Sequence, residues 1–320
     1  MNDRMNDTMK TTNGGTTEGL RPSTPSGAVG PCTPLKRHEK KIGLLLLVTL
    51  LFCVPAALAA PLRVVSLYPG HTDNVAALGG GELLVGVSEN DDPDLFPNLP
   101  RFSPKAGAES ILAAKPDVVL LRGQVERMNP NLSGVLARAG VRVEVLDPPG
   151  WDGFADYLRA LAGVLGLDPE AGVRRLETLR TEIAAEARAA RGERSAPRVF
   201  VEATARELHT CAPDSWAARL VALAGGENAA AGAVPLRAGS ALAPWGLERV
   251  LGAADGGLDV YLVQHGAMNA STAEDVRRRP WAGALSRVRV AEVPESWLSR
   301  PSLLGLERGG TRLIEIFYGE

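Results

Sequence analysis

After residue 60, the spacing of apolar and polar positions divides the chain into short buried strands and amphipathic helices. Residues 62–67 (LRVVSL) form a continuous β-branched run between Pro61 and Tyr68-Pro69-Gly70, which predicts a strand covered on both faces. Thr72 or Asp73 is placed to cap a short helix that stops at Gly79-Gly80-Gly81, and residues 83–87 predict a second strand, followed by a polar loop at 89–93. A helical turn at 109–114, a strand at 117–121, a helix at 131–139, a strand at 141–146 and a helix at 154–165 follow. Strands alternating with helices through short connections predict a parallel sheet.

The next stretch differs. Asp168 is a good N-cap, and Pro169 suits the first helical position, where its missing N–H costs nothing. Val173, Leu176, Leu179, Ile183 and Ala187 then recur at three- and four-residue steps, with charged residues on the other faces and Gly192 as a stop. At 1.5 Å per residue this rod runs about 35 Å. Beyond it the earlier order returns. There is a buried strand at 198–203, then a helix at 216–224 ending in Gly225-Gly226-Glu227, an echo of Gly80-Gly81-Glu82. Glu248-Arg249-Val250-Leu251 leads into a strand at 259–263 as Glu109-Ser110-Ile111-Leu112 leads into 117–121, and a strand at 288–293 and a helix at 301–318 close the chain. The predicted fold is α/β: two Rossmann-like lobes with parallel sheets, residues 61–167 and 193–320, joined by one long α-helix, 168–192, with a ligand cleft between the lobes. A single helical spine predicts little lobe movement.

Residues 1–60 stand apart. The first 35 lack an apolar period and read as disordered. A basic segment at 36–41, an apolar run at 42–54 and Ala57-Leu58-Ala59 then describe a secretory signal peptide, cleaved near Ala59-Ala60 in preference to being kept as an anchor; Met9 is a candidate later start. Without this leader, which holds seven Lys/Arg and four Asp/Glu, the net charge moves from −2 to −5. Cys32 and Cys53 leave with it, so Cys211 alone remains and no internal disulfide can form. No basic run points to nucleic acid, and the chain is read as a monomer.

Ligands of such sheets sit at the carboxyl ends of the strands. The predicted strand-end loops carry Tyr68, His71, Asn90, Asp91, Phe102, Lys105 and Arg122 in the first lobe. In the second they carry His209, Trp216, Trp245, His265, Trp297 and Arg300. Three tryptophans suit a large flat ligand, with arginines meeting its carboxylates or phosphates. His71, His209 and His265 are candidate metal ligands, since imidazole is the commonest one; each reads more readily as bonded to loop backbone, and no HxH, HExxH or CxxC spacing strengthens the metal reading. There is no nucleophile elbow, phosphate loop or dinucleotide fingerprint, so a catalytic role has little support.

Arg63-Val64-Val65-Ser66-Leu67, Ala77-Leu78-Gly79, residues 83–88 and residues 109–120 (ESILAAKPDVVL) closely resemble the periplasmic substrate-binding proteins of ABC importers for vitamin B12, ferric siderophores and haem. Gly225-Gly226-Glu227-Asn228 and Trp297 with Arg300-Pro301 extend the resemblance to the second lobe. It implies two lobes bridged by one helix and no intrinsic cofactor. The ligand would be a transported metal chelate (cobalamin, ferric siderophore or haem), and the partner an ABC permease with its ATPase. It also implies that Glu109 and Glu248, at matching places in the repeat, dock on permease arginines. Where family members carry Ser, Ala or Thr, this chain has Tyr68-Pro69-Gly70-His71; haem binders of this type use a Tyr or His on iron, and His71, Tyr68 or His209 could serve. Phe102-Ser103-Pro104-Lys105 replaces a B12-binder tryptophan, whereas Arg122-Gly123 with Glu126-Arg127 resembles the B12-binder loop. The expectation is an exported solute-binding protein for a corrinoid or ferric siderophore. The alternative is a binder of haem or of a metal ligated by the three histidines, and a remote third reading is a periplasmic enzyme using His and Cys211.

Overall fold

The computed structural model describes residues 60–319; the predicted leader, its cleavage site and the later start lie outside them. Among the described residues, no helix is long and apolar enough to cross a membrane.

In the first lobe, β1 (Val64–Ser66), β2 (Leu84–Ser88), β3 (Arg101–Phe102), β4 (Val118–Leu121) and β5 (Arg142–Val145) form one parallel sheet in the order β3-β2-β1-β4-β5. The chain winds outward from β1 to β3, then crosses back to β4 and β5. The direction of winding therefore reverses between β1 and β4. The connecting helices are α1 (Pro69–Ala77), α2 (Ala108–Leu112), α3 (Gly123–Met128), α4 (Leu132–Arg138) and α5 (Phe154–Leu165). The rod is α6, Pro169–Arg191, and the Asp168 carboxylate accepts the Glu170 N–H at 2.9 Å, as an N-cap should. Its predicted stripe, Val173, Leu176, Leu179, Ile183 and Ala187, is its buried face.

The second lobe holds β6 (Arg198–Glu202), β7 (Thr210–Cys211), α7 (Trp216–Leu223), β8 (Glu227–Asn228), β9 (Leu242–Ala243), α8 (Leu247–Asp255), β10 (Val260–His265), α9 (Ala273–Arg277), β11 (Arg289–Pro294), α10 (Glu295–Leu298) and α11 (Leu303–Tyr318). Its parallel sheet runs β11-β10-β6-β8, reversing between β6 and β10, and β7 pairs antiparallel with β9 beside it.

The internal repeat reaches the level of single bonds. The Asp117 carboxylate accepts the Arg63 backbone N–H at 2.9 Å, tying the start of β4 to β1, and the Asp259 carboxylate accepts the Arg198 N–H at 2.7 Å between β10 and β6. Both α1 and α7 end on a left-handed glycine, Gly79 (φ 82) and Gly225 (φ 86), each followed by a glycine whose N–H returns to the helix. That pairing places Gly79-Gly80 opposite Gly225-Gly226, one residue earlier than the Gly80-Gly81-Glu82 match read from sequence.

Three joints besides the rod's own chain hold the lobes together. On α1, the Asn74 amide donates to the Pro301 carbonyl at 3.2 Å, and its oxygen accepts the Leu303 N–H at 3.0 Å, fastening the first lobe to the start of α11. After β5, Trp151 packs on Trp216 of α7 (ring centroids 4.8 Å apart), with Phe154 against the same indole at 4.7 Å. Arg180 of the rod lies 4.3 Å over the Trp151 ring and donates to its carbonyl at 2.7 Å. The third joint is α11 on the rod, where a Cβ at Gly310 would fall 2.5 Å from Ile183. A Cβ on the neighbouring Gly309 would lie 2.3 Å from the Trp297 carbonyl oxygen, a backbone atom that cannot swing aside. Gly309→Ala is therefore expected to destabilise the protein by about 1–3 kcal/mol, the range for overpacking. A melting temperature within a degree of wild type would show that α10 and α11 separate more easily than this packing implies.

Several boundaries differ from the sequence reading for local reasons. The helix expected to begin at Thr72 or Asp73 begins at Pro69, because Pro at the first turn is already set for helix and Tyr68 takes the extended N-cap position. This frees the Thr72 hydroxyl to donate to Asp91 at 3.1 Å. The loop expected after β4 is the short helix α3, and the weak strands β3, β7, β8 and β9, only two residues each, leave no periodic trace.

Candidate functional site

In sheets of this kind the winding reversal is where a ligand is expected, since the loops on either side part there. In the first lobe those loops begin at Tyr68, after β1, and at Arg122, after β4. The Arg122 guanidinium lies 4.7 Å over the Tyr68 ring, and the His71 ring meets the same phenol edge-on. Gly70 makes room for the phenol: a Cβ there would sit 2.5 Å from the Tyr68 ring. Burial raises the Tyr68 hydroxyl above its ordinary pKa, with Arg122 and then Arg300 opposing the rise and Asp73 and Glu295 adding to it. Beside this stack the lobes approach each other, with Arg300 of the second lobe 3.8 Å from the Asp73 carboxylate on α1.

In the second lobe the reversal falls between β6 and β10. After β6, a tight hairpin closes on Thr204 and His209, passing through two consecutive non-glycine residues in the left-handed region, Glu207 (φ 55) and Leu208 (φ 46). It holds the Glu207 carboxylate 3.4 Å from His209 Nε2. At the end of β10, His265 Nδ1 lies 3.1 Å from the Ser271 carbonyl, which orients the ring. Both loops are keyed to Glu202, fully buried at the end of β6. Its carboxylate accepts from Arg279 at 2.6 and 2.9 Å, from Asn269 Nδ2 at 3.1 Å and from the Tyr261 hydroxyl. Asn269 Oδ1 in turn accepts the Ala205 N–H at 3.3 Å, so one carboxylate fixes the hairpin and the 265–271 loop together.

The predicted residues do not all reach the crevice. His71 is fully buried, with Nδ1 2.7 Å from the Tyr157 hydroxyl and Nε2 3.0 Å from the Leu121 carbonyl, and burial lowers its pKa to about 4. Both ring nitrogens are engaged, so His71 is corrected from a cleft ligand to a neutral pin between α1, β4 and α5. Among the described residues, no three His, Cys, Asp or Glu side chains are grouped to hold a metal ion; the three-histidine centre is corrected accordingly. Phe102, on β3, packs in the core with Val65, Ile111 and Val119, and Trp216 belongs to the aromatic joint between lobes. Asp91 is buried, its Oδ2 accepting the Ser88 N–H at 2.7 Å and the Thr72 hydroxyl. Cys211 is buried too, and burial pushes its thiol up to about 12, which removes it as a nucleophile. Asn90 and Lys105 are exposed beyond β2 and β3, while Trp245, Trp297 and Arg300 are half-buried. Glu109 and Glu248 are both exposed, each the second residue of its helix after a glycine N-cap. Glu202 and Glu295 were missed by sequence reasoning. A carboxylate ending the apolar run RVFVE was the signal available for the first, since a buried acid requires partners.

No protein-family model matches the chain. The vitamin B12-binding protein of Salmonella paratyphi A is 32% identical over 187 residues, 57% of this chain and 67% of that protein. The vitamin B12-binding protein of Pectobacterium carotovorum is 32% identical over 183 residues, 56% of this chain and 65% of that protein, so the chain spans just under two thirds of this relative's length. Two solved structures share the fold. The periplasmic haem-binding protein of Pseudomonas aeruginosa has a TM-score of 0.63 at 21% identity, covering 81% of this chain and 93% of that one. The periplasmic vitamin B12-binding protein of Vibrio cholerae has a TM-score of 0.54 at 23% identity, covering 80% and 96%. Two α/β lobes joined by a helical spine, together with these relatives, show that the chain belongs to the class III substrate-binding protein family of ABC importers.

Proposed function

We propose that the protein is exported to the periplasm, captures a metal chelate between its lobes and delivers it to an ABC permease and its ATPase. The observation that carries this reading is the approach of the lobes at the first lobe's winding reversal, where Arg122 stacks on Tyr68 and Arg300 of the second lobe comes within 3.8 Å of Asp73. The similarity to vitamin B12-binding proteins supports a corrinoid as the first ligand to test, with ferric siderophores beside it. Capture is binding without chemistry. Micromolar affinity needs about 8 kcal/mol, which ring stacking and a few charge-assisted bonds supply. The three joints support a closely fixed lobe angle.

A second reading, haem or another chelate ligated directly through its metal, is supported by His209 and His265. Both stand at the second lobe's reversal; His265 has Nδ1 tied to the Ser271 carbonyl, the arrangement that orients an imidazole toward a metal, and His209 Nε2 lies 3.4 Å from the Glu207 carboxylate. Tyr68 is the third donor this reading would use. A thermal-shift screen of the protein with cobalamin, cobinamide, haem, ferric siderophores and divalent metals tests both, because a ligand that binds only the folded state raises its melting temperature. A Soret band altered by His209→Ala or His265→Ala would favour the second reading.

Docking through Glu109 and Glu248 is supported by their matching exposed positions in the repeat. Glu109→Ala with Glu248→Ala is expected to abolish uptake in a reconstituted transporter while leaving the ligand dissociation constant within about twofold. Equal loss of binding would refute the docking assignment.

A further inference from the structure

At the amino ends of the second lobe's strands, on the sheet edge away from the strand-end loops described above, an open pocket of about 410 Å³ lies between the end of the rod and the end of α11. Val260, Ile316, Phe317 and Tyr318 give it an apolar wall, and Arg194 and Arg289 line it as well. Both arginines are held in place by helix-end carbonyls. Arg289 Nη1 donates to Ile316 at 2.6 Å and to Gly319 at 3.1 Å, at the end of α11. Arg194 Nη1 donates to the Tyr318 carbonyl at 3.3 Å and Nε to the Arg191 carbonyl at 3.2 Å, while its guanidinium lies 5.3 Å over the Tyr318 ring. Capping two helix ends accounts for those bonds. It does not account for Arg289 Nε and Nη2, which have no acceptor among the described residues.

The internal repeat shows what is missing. Arg142 opens β5 as Arg289 opens β11: each donates its backbone N–H at 2.9 Å, to the Asp117 and Asp259 carbonyls respectively. Arg142 stands beside Val118 and Arg289 beside Val260, and each guanidinium caps its lobe's closing helix, Arg142 through the Val164 carbonyl. In the first lobe the Arg142 Nε is answered by Glu144 at 3.4 Å, two residues on along the same strand face. The matching residue of the second lobe is Ala291, which offers no carboxylate. The carboxylate that lines the pocket, Asp259, already accepts the Arg198 N–H at 2.7 Å.

We propose that this pocket is a second ligand site, which takes a small organic anion: its carboxylate or phosphate on the free side of the Arg289 fork beside Arg194, its carbon body against Ile316, Phe317 and Tyr318. The anion supplies from outside what Glu144 supplies within the first lobe. The fork is already fixed by its carbonyl bonds, so little side-chain freedom is lost on binding. An occupant touches the end of the rod and α11 together, and so reinforces the joint between them.

Phenyl phosphate and benzoate carry anion and body together, inorganic phosphate carries the anion alone, and benzamide the body alone. In calorimetric titrations of the protein, phenyl phosphate or benzoate is expected to bind about tenfold or more tighter than either control, and to raise the melting temperature. Ser195→Glu sets a carboxylate on an exposed position of the lining and should abolish this binding without changing the melting temperature of the unliganded protein. Arg289→Gln should weaken it about tenfold, and Arg142→Gln, the matching change in the first lobe, should leave it unaltered. Absence of binding by both organic anions overturns the site, and so does benzamide or inorganic phosphate binding as tightly as they do. Binding that survives both Ser195→Glu and Arg289→Gln belongs elsewhere on the protein and overturns it too. None of these outcomes bears on chelate capture, which uses the other edge of the sheet.

Discussion

Glu202→Ala is expected to lower stability by about 3–5 kcal/mol, the cost of breaking a buried ion pair from one side. Glu202 is fully buried, and its carboxylate receives both ends of the Arg279 fork, the Asn269 amide and the Tyr261 hydroxyl. Its removal strands a cation whose side chain is 16% exposed, together with a fully buried phenol. Arg279 retains bonds to the Ser271 hydroxyl at 3.2 Å and to the Tyr261 oxygen at 3.3 Å, which offset little of this loss because the phenol O–H is left without an acceptor. At about 2–4 °C per kcal/mol for a domain of this size, the melting temperature should fall by roughly 10 °C. Glu202→Gln keeps the shape and one acceptor and should fall less. The loss should also reach ligand binding, because Asn269 carries the restraint from Glu202 to both the His209 hairpin and the His265 loop. A fall of less than 1 kcal/mol in a denaturant titration would mean that the loops reorganise to hydrate Arg279, and that the node is not the anchor its geometry suggests.

Such a node shows where sequence reasoning stops. The rod was fully legible, since its stripe, cap and stop are all local and 3.6-fold periodicity survives over 23 residues. The longer strands and the repeat were legible too, because parallel strands buried on both faces read as apolar runs. What a polar residue does in a strand-end loop was not legible. His71 and Asp91 look like open donors in sequence, yet the early start of α1 at Pro69 turns one toward Tyr157 and the other toward Thr72. Phe102 and Trp216 look like cleft residues in sequence because burial of a ring depends on its neighbours in space, here Val65 and Ile111 for one and Trp151 for the other. The joints through Asn74 and Gly309 link residues more than two hundred positions apart or depend on missing side chains, and neither leaves a periodic signal.

Asp91 leads to the second large effect: stability should fall as the pH rises from about 4 to 7. Burial pushes the Asp91 carboxyl up to about 7, the charge of Asp73 adds to the rise, and the Thr72 hydroxyl and Ser88 N–H hold it down in part. Both of those donors reach the same oxygen; Oδ1 is buried with no partner, so ionisation places charge where nothing receives it. Asp73 shifts the same way, to about 6, with Arg300, Ser302 and Arg308 opposing burial and Asp92 reinforcing it. The sign follows from linkage. A carboxyl whose folded pKa lies above its unfolded value near 3.8 binds its proton more tightly when folded. Its contribution is complete below about pH 4 and is lost progressively as the pH climbs from there through the folded value near 7. At about 1.4 kcal/mol per pKa unit, the three units at Asp91 set a ceiling of roughly 4 kcal/mol. Asp91→Asn keeps an acceptor for Thr72 and Ser88 and removes the ionisation. The variant should therefore lose the larger part of the wild-type slope between pH 4 and 7, and at pH 8 it should be at least as stable as wild type in urea titrations. A variant that keeps the full slope would place the titration elsewhere, and a variant less stable at pH 8 would mean that the ionised carboxylate is a welcome partner of Thr72 and Ser88 after all.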